Sequence, residues 1–463
     1  MSGERAGTGG TADIEGLRGR LAGEIVVPGD GDWDAARQAW NLAVDQHPVA
    51  VVFPEVAEDV AAVVEVAGAH GLKVAPQGTG HSAAPMGPLE GTILVKTSRM
   101  RDVVIDAPAT RARVQAGVLW GDVVPAAAEH GLAALAGSAK DVGVVGYTLG
   151  GGLGWLARRH GLACSGVLAA EAVTGDGRIV RADGDSEPDL FWALRGGGGS
   201  FAIVTALEFA LYPVAEVYAG ALYWPIERAA EVLHAWRELV AAAPDELTSL
   251  GRLMQFPPMP EVPEPFRGRA FALVEAAYCG PEAEGALLLQ PLRELGPEMD
   301  TLATMSAEGL GELHMDPPQP VPFAGDGTLL SELPAEAVEA LVGVAGAGSG
   351  SPLVSVEVRH LGGALATASP SNGALPSIDA GFALYAVGIA TNPEVKADVE
   401  AHAARTQDAL APWSTGRSFL NFTERRADPS EFFDAATYAR LRRVKAGYDP
   451  QDVIRGNHSI PPA

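Results

Sequence analysis

Val74-Ala75-Pro76-Gln77-Gly78-Thr79-Gly80-His81-Ser82 is the stretch on which the reading of the whole chain turns. The apolar run Gly71-Leu72-Lys73-Val74-Ala75 enters it as a strand, and the turn that follows holds two glycines around a threonine. Glycines permit positive φ and let successive N–H groups converge on one point, which makes a nest for anionic oxygens. His81 follows the second glycine directly and sits at the rim of that nest. Taken alone, the loop is also simply a turn with a histidine in it. Its neighbours decide between the two readings.

Upstream, 48–53 is a short β-rich run closed by Pro54, and 56–70 repeats valine and alanine at helical spacing. Strand, helix, strand predicts a small α/β unit that delivers the glycine loop. Residues 1–12 are rich in Gly, Ser and Thr and are expected to fray. Helices are expected over 14–21 and over 32–42, the latter anchored by Trp33 and Trp40. Downstream, 92–96, 103–105 and 111–117 read as strands and 119–130 as a helix. A second glycine-dense region, 137–154 (GSAKDVGVVGYTLGGGLG), precedes a helix at 155–160. Gly175-Asp176-Gly177 between two β-rich runs is a hairpin signal. A short helix at 189–194 runs into Gly196–Gly199, and a strand at 203–211 closes the lobe near Pro213.

From Ala215 the pattern changes. Strand-like runs (219–224, 252–255, 271–278, 353–361, 381–390) alternate with helices at 227–243, 281–295 and 335–344. A last helix is expected at 394–410. Pro-rich loops (257–266, 316–322) and a Gly/Ser segment (346–351) interrupt this second α+β lobe, and no internal repeat is visible.

The 463 residues exceed ordinary single-domain size, so two or three lobes with substantial cores are expected. A formal charge of −25 argues against nucleic acid or an anionic membrane as partner. Cys164 and Cys279 form no CxxC pair and no disulfide framework, which fits a reducing compartment. With no signal-type apolar core in 1–23 and no run of membrane-spanning length, a cytoplasmic location is expected. Cys164 is read as core packing.

Two loops match a dinucleotide fingerprint, Gly78-x-Gly80-x-x-Ala83 and Gly152-x-Gly154-x-x-Ala157. Gly152-x-Gly154 opens a helix but lacks an adenosine-type acid at the Rossmann spacing, so a Rossmann domain is not read here. A Walker lysine, an HExxH helix and a GxSxG elbow are all missing from the sequence, which leaves hydrolase and NTPase readings without an anchor residue.

Five ordered blocks point elsewhere: Gln77-Gly-Thr-Gly-His81-Ser82, Val142 to Trp155 (VGVVGYTLGGGLGW), His160-Gly161-Leu162, Asp189 to Gly199 (DLFWALRGGGG), and Tyr448-Asp449-Pro450 with Asn457-His458-Ser459-Ile460-Pro461-Pro462. Together they resemble the FAD-linked oxidases with a PCMH-type, vanillyl-alcohol-oxidase-like flavin domain, in the berberine-bridge-enzyme-like branch. The resemblance covers 45–214 and 415–462. It implies an α+β fold of two lobes: an FAD-binding domain formed by 1–214 (PCMH-type core about 45–214) with 415–463, and a substrate domain, 215–414, with an antiparallel sheet.

By that resemblance FAD lies extended in the first lobe, its pyrophosphate cradled by main-chain N–H groups of Pro76, Gln77, Gly78, Thr79, Gly80, His81 and Ser82. His81 matches the position bonded to the 8α carbon of the flavin ring. A neutral imidazole is nucleophilic near pH 7 and tolerates alkylation, so the residue type suits the bond. Many relatives add a cysteinyl link; Ala139 stands at that position here, which implies a single bond through His81. Gly137, Ser138, Val142, Gly146, Gly151 and Gly152 are expected along the flavin, Ile203 or Val204 near the adenine, and Asn457 near the ring.

Many relatives place a catalytic tyrosine two residues before an asparagine near the C-terminus; this chain has Phe419 before Asn421. The base is therefore sought in Val354-Ser-Val-Glu-Val-Arg-His360, where period-two alternation sets Ser355, Glu357 and Arg359 on one face. If that face looks toward the flavin, Glu357 is the base and Arg359 holds an anionic or carbonyl group. The competing reading is a solvated ion pair on an outer face. Tyr147, Tyr223 and Tyr385 are further pocket candidates.

The resemblance implies an FAD-dependent oxidase of a small organic molecule, a secondary-metabolite alcohol, amine or sugar, with hydride transfer to flavin N5 and reoxidation by dioxygen. A flavin-dependent dehydrogenase or cyclase that does not use dioxygen is one alternative, and a non-catalytic flavin-binding protein is another. No metal is expected, the partners are substrate and dioxygen, and the sequence leaves the oligomeric state open.

Overall fold

The computed structural model describes residues 14, 16–369 and 372–463. The fraying expected of 1–12 lies outside them. Three sheets organise the chain. The first has the order Glu24–Val26, Ala50–Phe53, Thr92–Lys96, Lys73–Gln77, and its last three strands run parallel. Parallel strands covered on both faces read as unbroken apolar runs, as Ala50-Val-Val-Phe53 and Thr92-Ile-Leu-Val do. Helix Ala57–His70 covers the sheet with Val60, Val63, Val64 and Ala67. The Asp59 carboxylate fixes the helix start by accepting from the N–H groups of Ala22 (2.8 Å), Gly23 (3.1 Å) and Glu55 (2.9 Å).

The second sheet is antiparallel, with the order Val103–Asp106, Arg111–Gln115, Ala202–Ala210, Val167–Thr174, Ile179–Ala182. Val173 and Ile203 from its inner strands pack on helix Ala57–His70, so this helix joins two sheets.

The third sheet is a larger antiparallel one. Its strands follow the order Met299–Asp300, Glu216–Pro225, Ala270–Tyr278, Leu247–Gln255, Ser355–His360, Phe382–Ile389, Phe323–Leu330. Helices Ala229–Val240, Glu282–Arg293, Ala335–Ala345 and Pro393–Leu410 cover one face, burying Trp224, Trp236, Leu341, Val356, Val358, Leu384 and Val399. The other face meets the first lobe. One apolar flank joins Ala219, Leu250 and Ala277 to Trp155 and Leu156. The other joins Leu329, Leu361 and Ala383 to Leu153, Leu162 and Phe419. Between the flanks lies a polar stripe, and the functional site is built there.

After Trp413 the chain returns to the first lobe. Helix Ala435–Tyr448 buries Leu441 and Val444 there, and Val74 exchanges backbone bonds with Val453 (2.8 Å) and Arg455 (2.9 Å). The Tyr448-Asp449 motif has a structural explanation. Lys445 is fully buried and donates to Asp449 Oδ2 (2.6 Å), Ser200 O (2.8 Å) and Ile454 O (2.8 Å). Asp449 in turn accepts from Val453 and Ile454 N–H. A buried charge pair with all three ammonium protons and both carboxylate oxygens engaged fixes one path for the tail. That path carries Asn457 to the glycine loop.

Two expectations shift. The helix expected over 32–42 is only Trp33–Arg37, because the chain turns extended at Gln38 to lay Trp40 and Asn41 along the glycine loop. Val144–Leu149, inside the glycine-dense stretch, is a helix that the glycines hid. Among the described residues no helix is long and apolar enough to cross a membrane.

Candidate active site

Gln77 ends the strand Lys73–Gln77 and the glycine loop leaves from it. Trp40 N–H donates to Thr79 O (3.0 Å) and Asn41 N–H to Gly80 O (3.3 Å), so a neighbouring segment is stitched along the turn. Gly80 has φ +91, and a Cβ there would lie 2.9 Å from the Ala39 Cβ, so only glycine allows this approach. Asn457 Nδ2 donates to Ser82 Oγ (3.1 Å). His81 stacks on Trp40 with ring centroids 4.0 Å apart and planes at 19°. Its Nδ1 lies 2.7 Å from Thr79 Oγ1. Its Nε2 is buried, makes no hydrogen bond, and faces Asp141 Oδ1 at 3.6 Å.

The stretch 137–154 runs beside this loop, with Gly143 placed against the Thr79 methyl. Ser138 Oγ donates to Asp316 Oδ2 (2.7 Å), which links the stretch to the second lobe. Gly146 is exposed, Val142 half-buried, and Gly151 and Gly152 are buried. Gly137 lies under the Tyr147 ring, whose hydroxyl is buried without a partner and is driven up strongly by burial. Gly152 N–H donates to Asn421 Oδ1 (3.0 Å) and Asn421 Nδ2 to Tyr147 O (3.2 Å), a clamp between the first lobe and the C-terminal segment. The Ile203 side chain is fully buried among Val60, Val63 and Val173, and Val204 lies in the next apolar cluster, 4% exposed. Their side chains are packing residues.

An extended dinucleotide fits this arrangement. Backbone crowding already demands glycine in the loop, and Gln77 Oε1, Gln46 Nε2 and His81 Nε2 are buried polar atoms left without protein partners. Pro76 to Ser82 and Gly137 to Gly152 are the residues that could hold it.

Across from them lies the polar stripe. Arg252 donates to Ser355 Oγ (2.7 Å), Glu275 Oε1 (3.2 Å) and His314 O (2.9 Å). Arg359 Nε donates to Glu357 Oε1 (2.7 Å), and His314 Nε2 stands 2.9 Å from Glu357 Oε2 as an ion pair without hydrogen-bond geometry. His314 Nδ1 contacts Glu275. Burial opposes charge on His314, but Glu275, Asp316 and Glu357 outweigh it and lift its pKa to about 9. Burial would likewise raise Glu357, yet Arg359 and His314 hold it well below the usual carboxylate range. The stripe is buried rather than solvated. It nonetheless counts against Glu357 as a base, because a carboxylate held this tightly as the anion is a weak proton acceptor. Tyr223, at 3% exposure, packs with Phe266 and Phe271 beside the stripe; its hydroxyl donates to Met315 Sδ (3.9 Å), and burial and then Glu275 raise its pKa.

Sequence reasoning missed a second buried carboxyl. Glu424 leaves the C-terminal segment at the sheet edge and accepts from the Tyr385 hydroxyl (3.4 Å), while its other oxygen is buried and unpaired. Burial and the nearby Asp326 push its pKa up to about 8. Tyr385 is the cross-strand neighbour of Glu357, is half-buried, and stacks on Phe422 with centroids 5.2 Å apart. Its hydroxyl is raised well above its ordinary value by burial and then by Glu424 and Glu357. Phe419 is 3% exposed and fills an apolar pocket against Gly151 and Leu375. Among the described residues no cluster of His, Cys, Asp or Glu is placed to hold a metal ion.

A glycine-lined dinucleotide cradle, capped by the polar face of an antiparallel sheet, defines the two-lobed PCMH-type flavoprotein class. Residues 48–183 match the FAD binding domain family, and residues 418–461 match the berberine and berberine-like family. An uncharacterised FAD-linked oxidoreductase of Bacillus subtilis is 28% identical over 96% of this chain and 98% of its own length. The (R)-6-hydroxynicotine oxidase of Paenarthrobacter nicotinovorans is 36% identical over 44% of this chain and 45% of its own. The fold superimposes on the BBE-like 1 protein of Physcomitrella patens with a TM-score of 0.84, over 97% of this chain and 99% of that one, at 21% identity. The chain therefore carries an FAD binding domain and a berberine-like segment, and it is similar to FAD-linked oxidoreductases of the berberine-bridge-enzyme-like kind.

Proposed function

We propose that this protein oxidises a small organic molecule between the two lobes, using FAD tethered through His81 alone and dioxygen as the final acceptor. The observation that carries the reading is the placement of the His81 ring. It stands at the end of the glycine loop, held by Trp40, Thr79 and Asp141, while Ala139 offers no second nucleophile. The flavin, when bound, supplies the two-electron acceptor, and its covalent tether raises its appetite for electrons from a poor donor.

The chain's own residues handle the proton. Tyr385 Oη takes the substrate proton as it passes its own to Glu424, whose pKa near 8 suits it to that exchange. Glu357, His314 and Arg359 form a fixed charge platform beside them, and Arg359 orients an anionic or carbonyl group of the substrate. Tyr147 lines the opposite wall.

The test is acid precipitation of the purified protein. A yellow pellet is expected for the wild type, with the colour moving to the supernatant in His81→Ala. A wild-type pellet without colour would overturn the tether. Peroxide release during turnover checks the use of dioxygen.

A further inference from the structure

Three groups hold the His81 imidazole, and they differ in kind. Trp40 covers one ring face at 4.0 Å. Thr79 Oγ1 stands 2.7 Å from Nδ1. Asp141 Oδ1 stands 3.6 Å from Nε2, and the other Asp141 oxygen accepts from Trp40 Nε1 at 2.5 Å. Trp40 is itself fixed from the second lobe, edge-on to Phe323 at 6.0 Å. Adjacent Asn41 exchanges hydrogen bonds with the Phe323 backbone, at 3.1 and 3.2 Å.

The Asp141 carboxylate, 3.6 Å from Nε2, is beyond hydrogen-bond length but favours a proton on that nitrogen by its charge. With the proton on Nε2, Nδ1 carries the lone pair and accepts from the Thr79 hydroxyl. Acid, imidazole and hydroxyl in this order is the arrangement by which a buried acid sets a histidine's tautomer and absorbs the charge that develops when the far nitrogen reacts.

We infer that Asp141, aimed by Trp40, is the positioning residue that makes His81 Nδ1 the nucleophile for its bond to the flavin; this rests on the reading that His81 is the tether. The step joins Nδ1 to the carbon of the flavin's ring methyl. One proton leaves that methyl carbon, and a second leaves Nε2 for Asp141. The remaining two electrons go to dioxygen, which with two protons becomes hydrogen peroxide, so a neutral substituted imidazole is left. Asp141 is suited to the task. Burial opposes its charge, but His81 and Trp40 outweigh burial and keep its carboxyl below the ordinary range. Thr79 leaves Nδ1 as the new bond forms.

The experiment reads attachment, not turnover. Apoprotein is mixed with excess FAD in air. Flavin that survives acid precipitation, checked by intact mass, is followed against flavin that only survives gel filtration. Asp141→Asn is expected to take up FAD in wild-type proportion while attaching it at least tenfold more slowly, and Asp141→Glu to recover part of the rate. Trp40→Phe, which keeps a stacked ring but loses the N–H, is expected to slow attachment less than Asp141→Asn does. Attachment by Asp141→Asn at the wild-type rate overturns the inference. So does a folded Asp141→Asn protein that takes up no FAD, since that assigns Asp141 to binding. If Asp141→Asn does not fold, Trp40→Phe decides alone: slower attachment supports the inference and an unchanged rate overturns it. His81→Ala keeps the two claims apart, because flavin still attached in that variant refutes the tether whatever Asp141 does.

Discussion

Glu357 and Glu424 flank Tyr385 from opposite sides, and both are nearly shut off from water, at 1% and 9% exposure. Burial raises the pKa of each, yet they end far apart. Glu357 has two cations within 3 Å and stays an anion. Glu424 has a phenol on one oxygen, nothing on the other, and an acidic neighbour in Asp326, so it keeps its proton up to about pH 8. Desolvation is common to both, so the partners set the difference. One carboxyl supplies fixed charge and the other supplies proton capacity.

The comparison is broken most directly by kinetics. Glu424→Gln and Tyr385→Phe should each slow anaerobic flavin reduction by about 10²–10⁴, the range of a lost general base. Glu357→Gln should slow it less than either. The wild-type rate should climb with pH and level off above about 8, as Glu424 loses its proton. Stopped-flow spectra at several pH values measure all of this. A Glu357→Gln loss that exceeds the Glu424→Gln loss would reverse the assignment.

Stability separates the two carboxyls in the opposite sense. Removing one partner of a buried, paired charge leaves the others uncompensated, so Glu357→Gln should cost about 3–5 kcal/mol in denaturant unfolding. Glu424→Gln replaces an acid that is already neutral below pH 8 and should shift the midpoint little. The sign with pH follows. Glu424 and His314 both have folded pKa values above their ordinary ones. Their contributions are complete below about 4.5 and 6.5 respectively, and are lost as pH rises through about 8 and 9. Glu357 behaves in reverse, contributing above its ordinary value and losing that contribution only in strong acid. Unfolding curves should therefore weaken from about pH 4.5 to 9, most steeply above 6.5 where both losses run together, and Glu424→Gln should flatten part of that fall.

Why one half of this comparison was legible in the sequence and the other was not has a physical reason. The loop at 77–82 and the stripe at 355–359 carry their signals locally: glycines where the backbone must turn, and period-two alternation on a strand. The face was therefore readable, but its charge state was not. His314, which locks Glu357, arrives from beyond the 3-10 helix Ala307–Glu312. Glu424 meets Tyr385 only because the C-terminal segment wraps the edge strand Phe323–Leu330, where Asp326 accepts from Glu424 N–H and Arg425. Trp40 and Asp141, on either side of His81, lie 101 residues apart. Partners set pKa values, and these partners come from three separate parts of the chain.

The smallest predicted effect sharpens the comparison at its remaining weak point, the phenylalanine that stands where many relatives carry a tyrosine. Phe419 fills an apolar pocket with Leu153, Leu361 and Leu365, and its ring edge already crowds Gly151. A hydroxyl added there meets hydrocarbon, so Phe419→Tyr should lower stability by about 1–3 kcal/mol, the cost of an unpaired buried polar group. It should leave both the rate of flavin reduction and its dependence on pH as they were, because in the proposed relay Tyr385 and Glu424 handle the proton. A Phe419→Tyr protein whose reduction became faster at neutral pH and lost its rise toward pH 8 would show that a phenol at 419 serves as the base. The pairing of Tyr385 with Glu424 would then be a feature of packing alone.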